Sequence, residues 1–216
     1  MQTGILIQAR TSSTRLPGKV LYKLGNSNFN CISLIKKRLD SFSGENFKGI
    51  FFLTSNKNCD DSIEYFCLKN NINIFRGDED DVLNRYYQAA KVFEINTIIR
   101  VTADCPFIDH KEISRILLKH TQEENDFTTN SFTGSSIVDG CDVEIFSFQA
   151  LEKAHLEAKS EIDREHVTTY FLKNDEFKVS LSDPRFPFPY TRLTLDKSED
   201  FKVISELIDM VDNPVT

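Results

Sequence analysis

The feature that most constrains this chain is the way its first apolar run ends. Ile5-Leu6-Ile7-Gln8-Ala9 reads as a buried strand, and the apolar pattern then stops. Arg10-Thr11-Ser12-Ser13-Thr14-Arg15-Leu16-Pro17-Gly18-Lys19 follows as a loop rich in Ser and Thr, with a turn at Pro17-Gly18. Arg10, Arg15 and Lys19 thus sit on a loop leaving a buried strand. This suggests an anion site, because ligands of open α/β sheets lie at the carboxyl ends of strands. The charge distribution sharpens the point. The 216 residues carry a formal net charge of −7, yet no Asp or Glu precedes Asp40. Lys23, Lys36, Lys37 and Arg38 add to the positive field of that stretch. A triphosphate would be drawn there, where Arg forks can grip phosphate oxygens. A solvated basic loop is the competing reading.

The length suits one α/β domain over residues 1–216. Net acidity argues against non-specific nucleic-acid binding. No apolar run approaches the roughly 20 residues of a bilayer span and no leader-like segment opens the chain, so a cytoplasmic protein without membrane contact is expected. The five cysteines are odd in number and form no C-x-x-C pair, so they read as reduced thiols and not as a zinc site. Phe is frequent (18) and Trp absent, so Phe must carry the aromatic packing.

Short apolar runs at Gly49–Thr54, Ile72–Phe75 and Thr97–Val101 read as further strands. Amphipathic stretches around Ile32–Phe42, Asn58–Lys69, Val82–Phe93 and Lys111–His120 read as helices between and after them, the last capped by Asp109. This alternation predicts βαβ units and a mostly parallel sheet flanked by helices. Neither a P-loop nor a G-x-G-x-x-G is present.

Two carboxylates stand out. Asp104 lies just past the Thr97–Val101 strand, and Pro106 keeps the chain after it extended. Asp196 ends Thr191–Asp196, which alternates like a strand before a helix capped by Ser198; Asp200 reads as a structural residue of that helix's first turn. A carboxylate at a strand end can hold Mg²⁺ opposite phosphate-binding cations, or simply cap a turn. Residues 127–148 are short extended runs broken at Gly134-Ser135-Ser136 and Asp139-Gly140, with Asp142–Phe146 alternating as a half-exposed strand. Ser147–Ala158 is a helix, Ser160 an N-cap with Asp163 at the capping-box position, and Arg164-Glu165-His166-Val167 follows. A lone helical His is more often packed than reactive. Phe177–Leu181 is a strand, and Asp183–Pro189 an irregular loop.

These pieces resemble the nucleotide-sugar cytidylyltransferases that activate acidic sugars, typified by the Kdo and acylneuraminate enzymes. Within them the chain is most similar to the spore coat polysaccharide biosynthesis type. The Gly4–Leu21 signature carries the resemblance, together with Arg100–Asp109, Gly140–Glu144, Arg164–Val167 and Thr194–Phe201. The resemblance implies a Rossmann-like (GT-A-like) fold with a small β/helical substrate and dimerisation insertion at about 127–180. It implies CTP contacts at Gln8, Ala9, Arg10, Arg15, Lys19, Thr54, Arg85 and Thr102, with Lys19, Arg10 and Arg15 serving transfer. It places Mg²⁺ on Asp104 and Asp196, and the acceptor against Asp142, Glu144, Arg164 and His166. Cytosine preference, a small acidic acceptor, surface-polysaccharide synthesis and a homodimer also rest on it. Two other readings stay open: a glycosyltransferase whose D-x-D would be Asp78-Glu79-Asp80, and a non-catalytic nucleotide-binding protein.

Overall fold

Strand runs that are apolar on both sides need cover on both faces, and the fold supplies it. The computed structural model describes every residue except 133, 136, 184–186, 189, 212 and 216. Of the expected irregular features, residues 184–186 and 189 of the Asp183–Pro189 loop and residue 136 of the Gly134-Ser135-Ser136 break therefore lie outside the described residues.

Four strands form the parallel centre: β1 (Thr3–Gln8), β2 (Phe47–Ser55), β3 (Asn73–Gly77) and β4 (Thr97–Thr102). With β5 (Phe127–Thr129), β6 (Glu144–Ser147) and β7 (Val179–Leu181) they make one sheet in the order β3-β2-β1-β4-β6-β5-β7, in which β6 runs antiparallel to its neighbours. The helices are α1 (Cys31–Leu39), α2 (Asp61–Lys69), α3 (Val82–Val92), α4 (His110–Gln122), α5 (Phe148–Glu157), α6 (Glu161–His166), α7 (Thr169–Lys173) and α8 (Ser198–Met210). This is the mostly parallel, helix-flanked α/β fold that the alternation predicts.

Strand alternation divides the interior in two. Ile5 and Ile7 of β1, Ile99 and Val101 of β4, and Ile145 of β6 pack with apolar residues of α1, α2, α4 and α8. Leu6, Ile98 and Phe146, one residue out of phase, pack with α3, α5 and α7. Phenylalanine does carry the aromatic packing there: Phe171 lies 5.2, 5.4 and 5.1 Å, centroid to centroid, from Phe127, Phe146 and Phe177. β1 and β4 pair in step from Thr3↔Thr97 to Gln8↔Thr102, so both end at the same edge of the sheet.

Two expected strands are corrected. Thr191–Asp196 is not a strand; it makes an isolated bridge, Asp139↔Arg192, and otherwise runs as a strap. Its alternation reflects burial of Leu195, whose amide donates to Asp104 O at 2.8 Å. β6 begins at Glu144 and leaves Asp142 out of the sheet, because the Asn130 side chain takes the Val143 amide at 2.8 Å. Ser198 is the first helical residue, not the cap. Asp200 is structural as expected: its carboxylate accepts from the Asp196 and Lys197 amides at 2.9 and 2.8 Å.

The strap is held by the turn at Gly140. That residue has φ +104°, and a Cβ there would stand 2.8 Å from Leu193 C and Thr194 N. Gly134 has φ +88° with no atom of the described residues within 4 Å of such a Cβ. Gly140→Ala should therefore destabilise the protein by about 2–4 kcal/mol in urea titration, since strained φ and backbone overlap add. Gly134→Ala carries the φ term alone and should cost about 1 kcal/mol. Equal losses would mean that the strap yields to a methyl group.

Candidate active site

The cation loop is fastened by a carboxylate the sequence reading did not single out. Asp60 is fully buried. Its Oδ1 accepts from Thr11 N and Thr11 Oγ1, both at 2.7 Å, and its Oδ2 accepts from Ser55 N at 3.1 Å and Ser55 Oγ at 2.5 Å. Burial pushes this carboxyl up, but the bonds from Ser55 and Thr11 outweigh it and hold it below its ordinary value. The end of β2 is thereby tied to the start of the loop. Further on, Gly18 N donates to Thr11 O at 2.9 Å, Gly18 takes φ +72°, and a single 3₁₀ turn over Lys19–Leu21 sends Lys19 inward.

Lys19 is 6% exposed, and its ammonium lies 2.8 Å from Asp104 Oδ2 and 2.8 Å from Asp196 Oδ1. Burial alone would lower its pKa; Asp104 and Asp196 outweigh burial and raise it above the ordinary lysine value. Asp196 also meets Arg15 Nη2 at 2.9 Å and Arg192 Nη2 at 2.5 Å. Burial pushes the Asp196 carboxyl up, and Lys19, Arg15 and Arg192 together hold it below its ordinary value. Two carboxylates and three cations thus share one point at the strand ends. Among the described residues, no three His, Cys, Asp or Glu side chains converge on a metal-binding position. Asp104 and Asp196 nevertheless fit a hard divalent ion that takes its other ligands from phosphate and water, as Mg²⁺ does.

Around this point a cleft of about 380 Å³ brings together Gln8, Ala9, Arg10, Arg15, Lys19, Arg85, Thr102, Asp104, Asp142, His166 and Asp196. Gln8 is aimed by Arg100. The Arg100 guanidinium donates to Gln8 Oε1 at 2.9 Å and pairs with Glu144, which leaves the Gln8 amide N–H groups for the cleft. Burial would lower the Arg100 pKa, but Glu144 raises it above the ordinary value. A charged residue inside a buried strand was the signal available for Arg100.

Three expected residues are not among those lining the cleft. Thr54 is fully buried in β2, with its hydroxyl unpartnered among the described residues. Glu144 is engaged by Arg100 and accepts from Thr168 Oγ1 at 2.7 Å. Arg164 forms a two-pronged contact with Asp81, Nε–Oδ1 2.9 Å and Nη2–Oδ2 2.5 Å, and Asp81 also caps α3 through Asn84 N. A planar fork matched to a carboxylate is a structural use of arginine. The Asp78-Glu79-Asp80 run is likewise absent from the lining. Asp78 Oδ1 accepts from the Asp80 and Asp81 amides, both at 2.9 Å, and Glu79 accepts from Ser12 Oγ at 2.5 Å.

His166 reaches the cleft through an unusual turn. Val167, fully buried, has φ +61° and ψ −62°, and Thr168 N donates to His166 O at 2.6 Å. This is a γ-turn with positive φ on a β-branched residue, a costly conformation. Glu165, Asp139 and Thr194 line the same end of the cleft, and Thr194 Oγ1 donates to Asp139 Oδ1 at 2.6 Å.

Comparison with known proteins agrees with this geometry. The profile of a family described as cytidylyltransferase matches residues 4–215. The spore coat polysaccharide biosynthesis protein SpsF of Bacillus subtilis is 32% identical over 210 residues, covering 94% of this chain and 84% of SpsF. A solved cytidylyltransferase from Leptospira borgpetersenii superposes with a TM-score of 0.91 at 33% identity, covering 100% of this chain and 90% of that one. CMP:2-keto-3-deoxy-manno-octonic acid synthetase, solved with CTP, shares the fold at a TM-score of 0.72 and 13% identity, covering 97% of this chain and 99% of that one. Among the described residues no helix is long and apolar enough to cross a membrane. A strand-end cation loop facing two carboxylates and a family match over nearly the whole length point the same way: this chain belongs to the cytidylyltransferase family of nucleotidyltransferases.

Proposed function

We propose that this protein transfers a cytidylyl group from CTP to a hydroxyl of a small acidic sugar or similar acid, releasing pyrophosphate, in the cytoplasmic assembly of a surface polysaccharide. The observation that carries the reading is the Lys19 ammonium shared between Asp104 and Asp196. The SpsF likeness and the CTP-bound fold neighbour support the nucleotide and the acidic acceptor. Relatives of this type also motivate a homodimer built through residues near 127–180.

Nucleotidyl transfer needs charge control more than covalent chemistry. In-line attack on the α-phosphate builds negative charge on its oxygens and on the departing pyrophosphate. Arg10, Arg15 and Lys19 meet that charge, with Lys19 nearest the reacting phosphorus. In the resting site Lys19 and Arg15 are held on Asp104 and Asp196, while Arg192 is shared among Asp196, Asp139 and Asp200. Asp104 and Asp196 would hold Mg²⁺, which when bound supplies positive charge at the α-phosphate and acidifies the acceptor hydroxyl. Gln8 offers an amide donor to the nucleotide, and Asp142 and His166 face the acceptor end.

Asp142 is the acceptor-side group with a distinctive proton affinity. Burial pushes its carboxyl up to about 6, and repulsion from Glu144 and Asp139 adds to this, against a bond from Ser131 and the charge of Arg100. It can therefore donate a hydrogen bond to the acceptor at mildly acid pH and accept one at neutral pH.

Pyrophosphate release with Mg²⁺ should occur with CTP and not with ATP, GTP or UTP when a panel of acidic sugars is supplied. Thermal stabilisation by CTP with Mg²⁺ but no release across the panel would replace transfer with simple nucleotide binding. Lys19→Ala should lower kcat by about 10²–10³ with a smaller change in nucleotide KM; an effect confined to KM would make Lys19 a binding residue only. Asp104→Asn should abolish turnover while leaving the circular dichroism spectrum unchanged, and substantial surviving activity would remove the metal role. Asp142→Asn tests the titration. The folded-state value lies above the ordinary carboxylate value, so stability is lost as pH rises from about 4 to about 6, whereas below pH about 3 the group is protonated in both states. The variant should be more stable than wild type by about 2 kcal/mol at pH 8 and equal to it at pH about 3. A pH-independent difference would place the Asp142 titration in the ordinary range.

A further inference from the structure

Arg85 on α3 is 2% exposed and lines the cleft. Its Nη1 donates to Asp78 O at 2.8 Å. Its Nε is buried without a partner, and among the described residues Nη2 has no hydrogen-bond or ion-pair partner either. Arg76, Arg100, Arg115 and Arg164 each reach a carboxylate, whereas Arg85 has no carboxylate partner among the described residues. Burial pushes its pKa down, against the attraction of Tyr86, Asp60 and Asp78. Arginine does not escape burial by giving up its proton, so an unsatisfied buried guanidinium is costly unless something else completes it. The chain has also cleared room for this side chain. A Cβ on Gly77, at the end of β3, would lie 2.9 Å from Arg85 Cγ.

The missing partner is an acceptor group on a ligand, and its place in the fold says which part. Arg15, Lys19, Asp104 and Asp196 gather where β1 and β4 end and the strap crosses. Arg85 enters the cleft from the other side of β1, from the helix that follows β3. If the triphosphate lies at Lys19, the far end of the nucleotide is its base. Cytosine presents two adjacent acceptors there, O2 and N3, which match two N–H groups of a guanidinium fork. Uracil presents N3–H in place of the N3 acceptor, so one N–H would face another and the buried cation would stay unpaired.

We infer that Arg85 reads the O2/N3 edge of the base and is the residue by which this enzyme separates cytosine from uracil nucleotides. The inference rests on the proposed use of a pyrimidine nucleoside triphosphate. It names the residue that selects the base, not the chemistry of transfer.

Calorimetric titration of wild type, Arg85→Gln and Arg85→Lys with CTP, UTP and inorganic tripolyphosphate tests it, with thermal unfolding to establish that the variants fold. Wild type should bind CTP about 100-fold more tightly than UTP, because a polar site rejects an analogue that leaves its buried groups unpaired. In both variants CTP binding should weaken by about 30- to 100-fold, UTP and tripolyphosphate should change by less than about 3-fold, and the preference should collapse. Lysine should not rescue, because a point charge cannot present the fork. Equal weakening for all three ligands would overturn the inference and make Arg85 a phosphate ligand. So would rescue by lysine, or a wild type that binds CTP and UTP alike. If Arg85→Gln fails to fold, Arg85→Lys alone decides through the CTP/UTP ratio. Selective CTP binding without pyrophosphate release for any acceptor would sink the proposed transfer while leaving the base-reading role in place.

Discussion

The site depends on one ammonium held between two carboxylates. The backbone itself forces Asp104 and Asp196 together, because Leu195 N is bonded to Asp104 O. Two carboxylates brought to one partly buried point repel each other. Lys19, delivered by the Gly18 turn, resolves that conflict, and in doing so joins segments 85 and 177 residues away in sequence. Under the proposed function, the contact that completes the fold at this edge is also the contact that a triphosphate would loosen, since the same ammonium would partner its oxygens. On that proposal, stability of the ligand-free site and affinity for the ligand are set by the same group.

A division of labour among charged residues follows from this. Asp60, Asp81, Arg100, Arg164 and Asp200 are committed to the protein: each is engaged by side chains or amides that fix a loop, a helix start or a neighbouring side chain. Arg10, Arg85 and His166 line the cleft without an ion-pair partner among the described residues. Lys19 and Arg15 stand between, paired with Asp104 and Asp196 and, in the proposed function, partners of phosphate. In the proposed function, electrostatic complementarity to a nucleotide would come from the last two groups, and the geometry that makes it usable from the first.

The centre of the sheet was legible because its strands are apolar on both faces and bounded by Gly, Asn and Thr, and because helices of ordinary length separate them. The loop cations and Asp104 were legible for the same reason, since strand ends in a parallel sheet define one edge. What misled was alternation. Thr191–Asp196 alternates like a strand but has only one bridging partner among the described residues, because its apolar positions serve to seat Leu195 under Asp104. Glu144 and Arg164 were read toward the acceptor from the resemblance of Gly140–Glu144 and Arg164–Val167 to the family, and pairing partners such as Asp81, 83 residues away, leave no local trace. Asp60 was hidden by a sufficient local explanation: an acid at a helix start needs no further reason.

Glu144 shows how much positioning a residue outside the cleft can do. One of its oxygens accepts from Thr168 Oγ1, and the other pairs with Arg100, whose second nitrogen holds the Gln8 side chain. Thr168 also closes the γ-turn through its amide to His166 O. A single carboxylate therefore fixes Gln8 on one wall and the turn behind His166 on the other. The backbone conformation of Val167 costs of order 1–3 kcal/mol and persists only where its surroundings over-determine it. Here they do: Val167 is fully buried and the residue after it is anchored on Glu144. The strained turn, the buried ion pair and the glutamine amide form one unit, in which the distance between the Gln8 and His166 walls of the cleft is held by contacts made outside its lining.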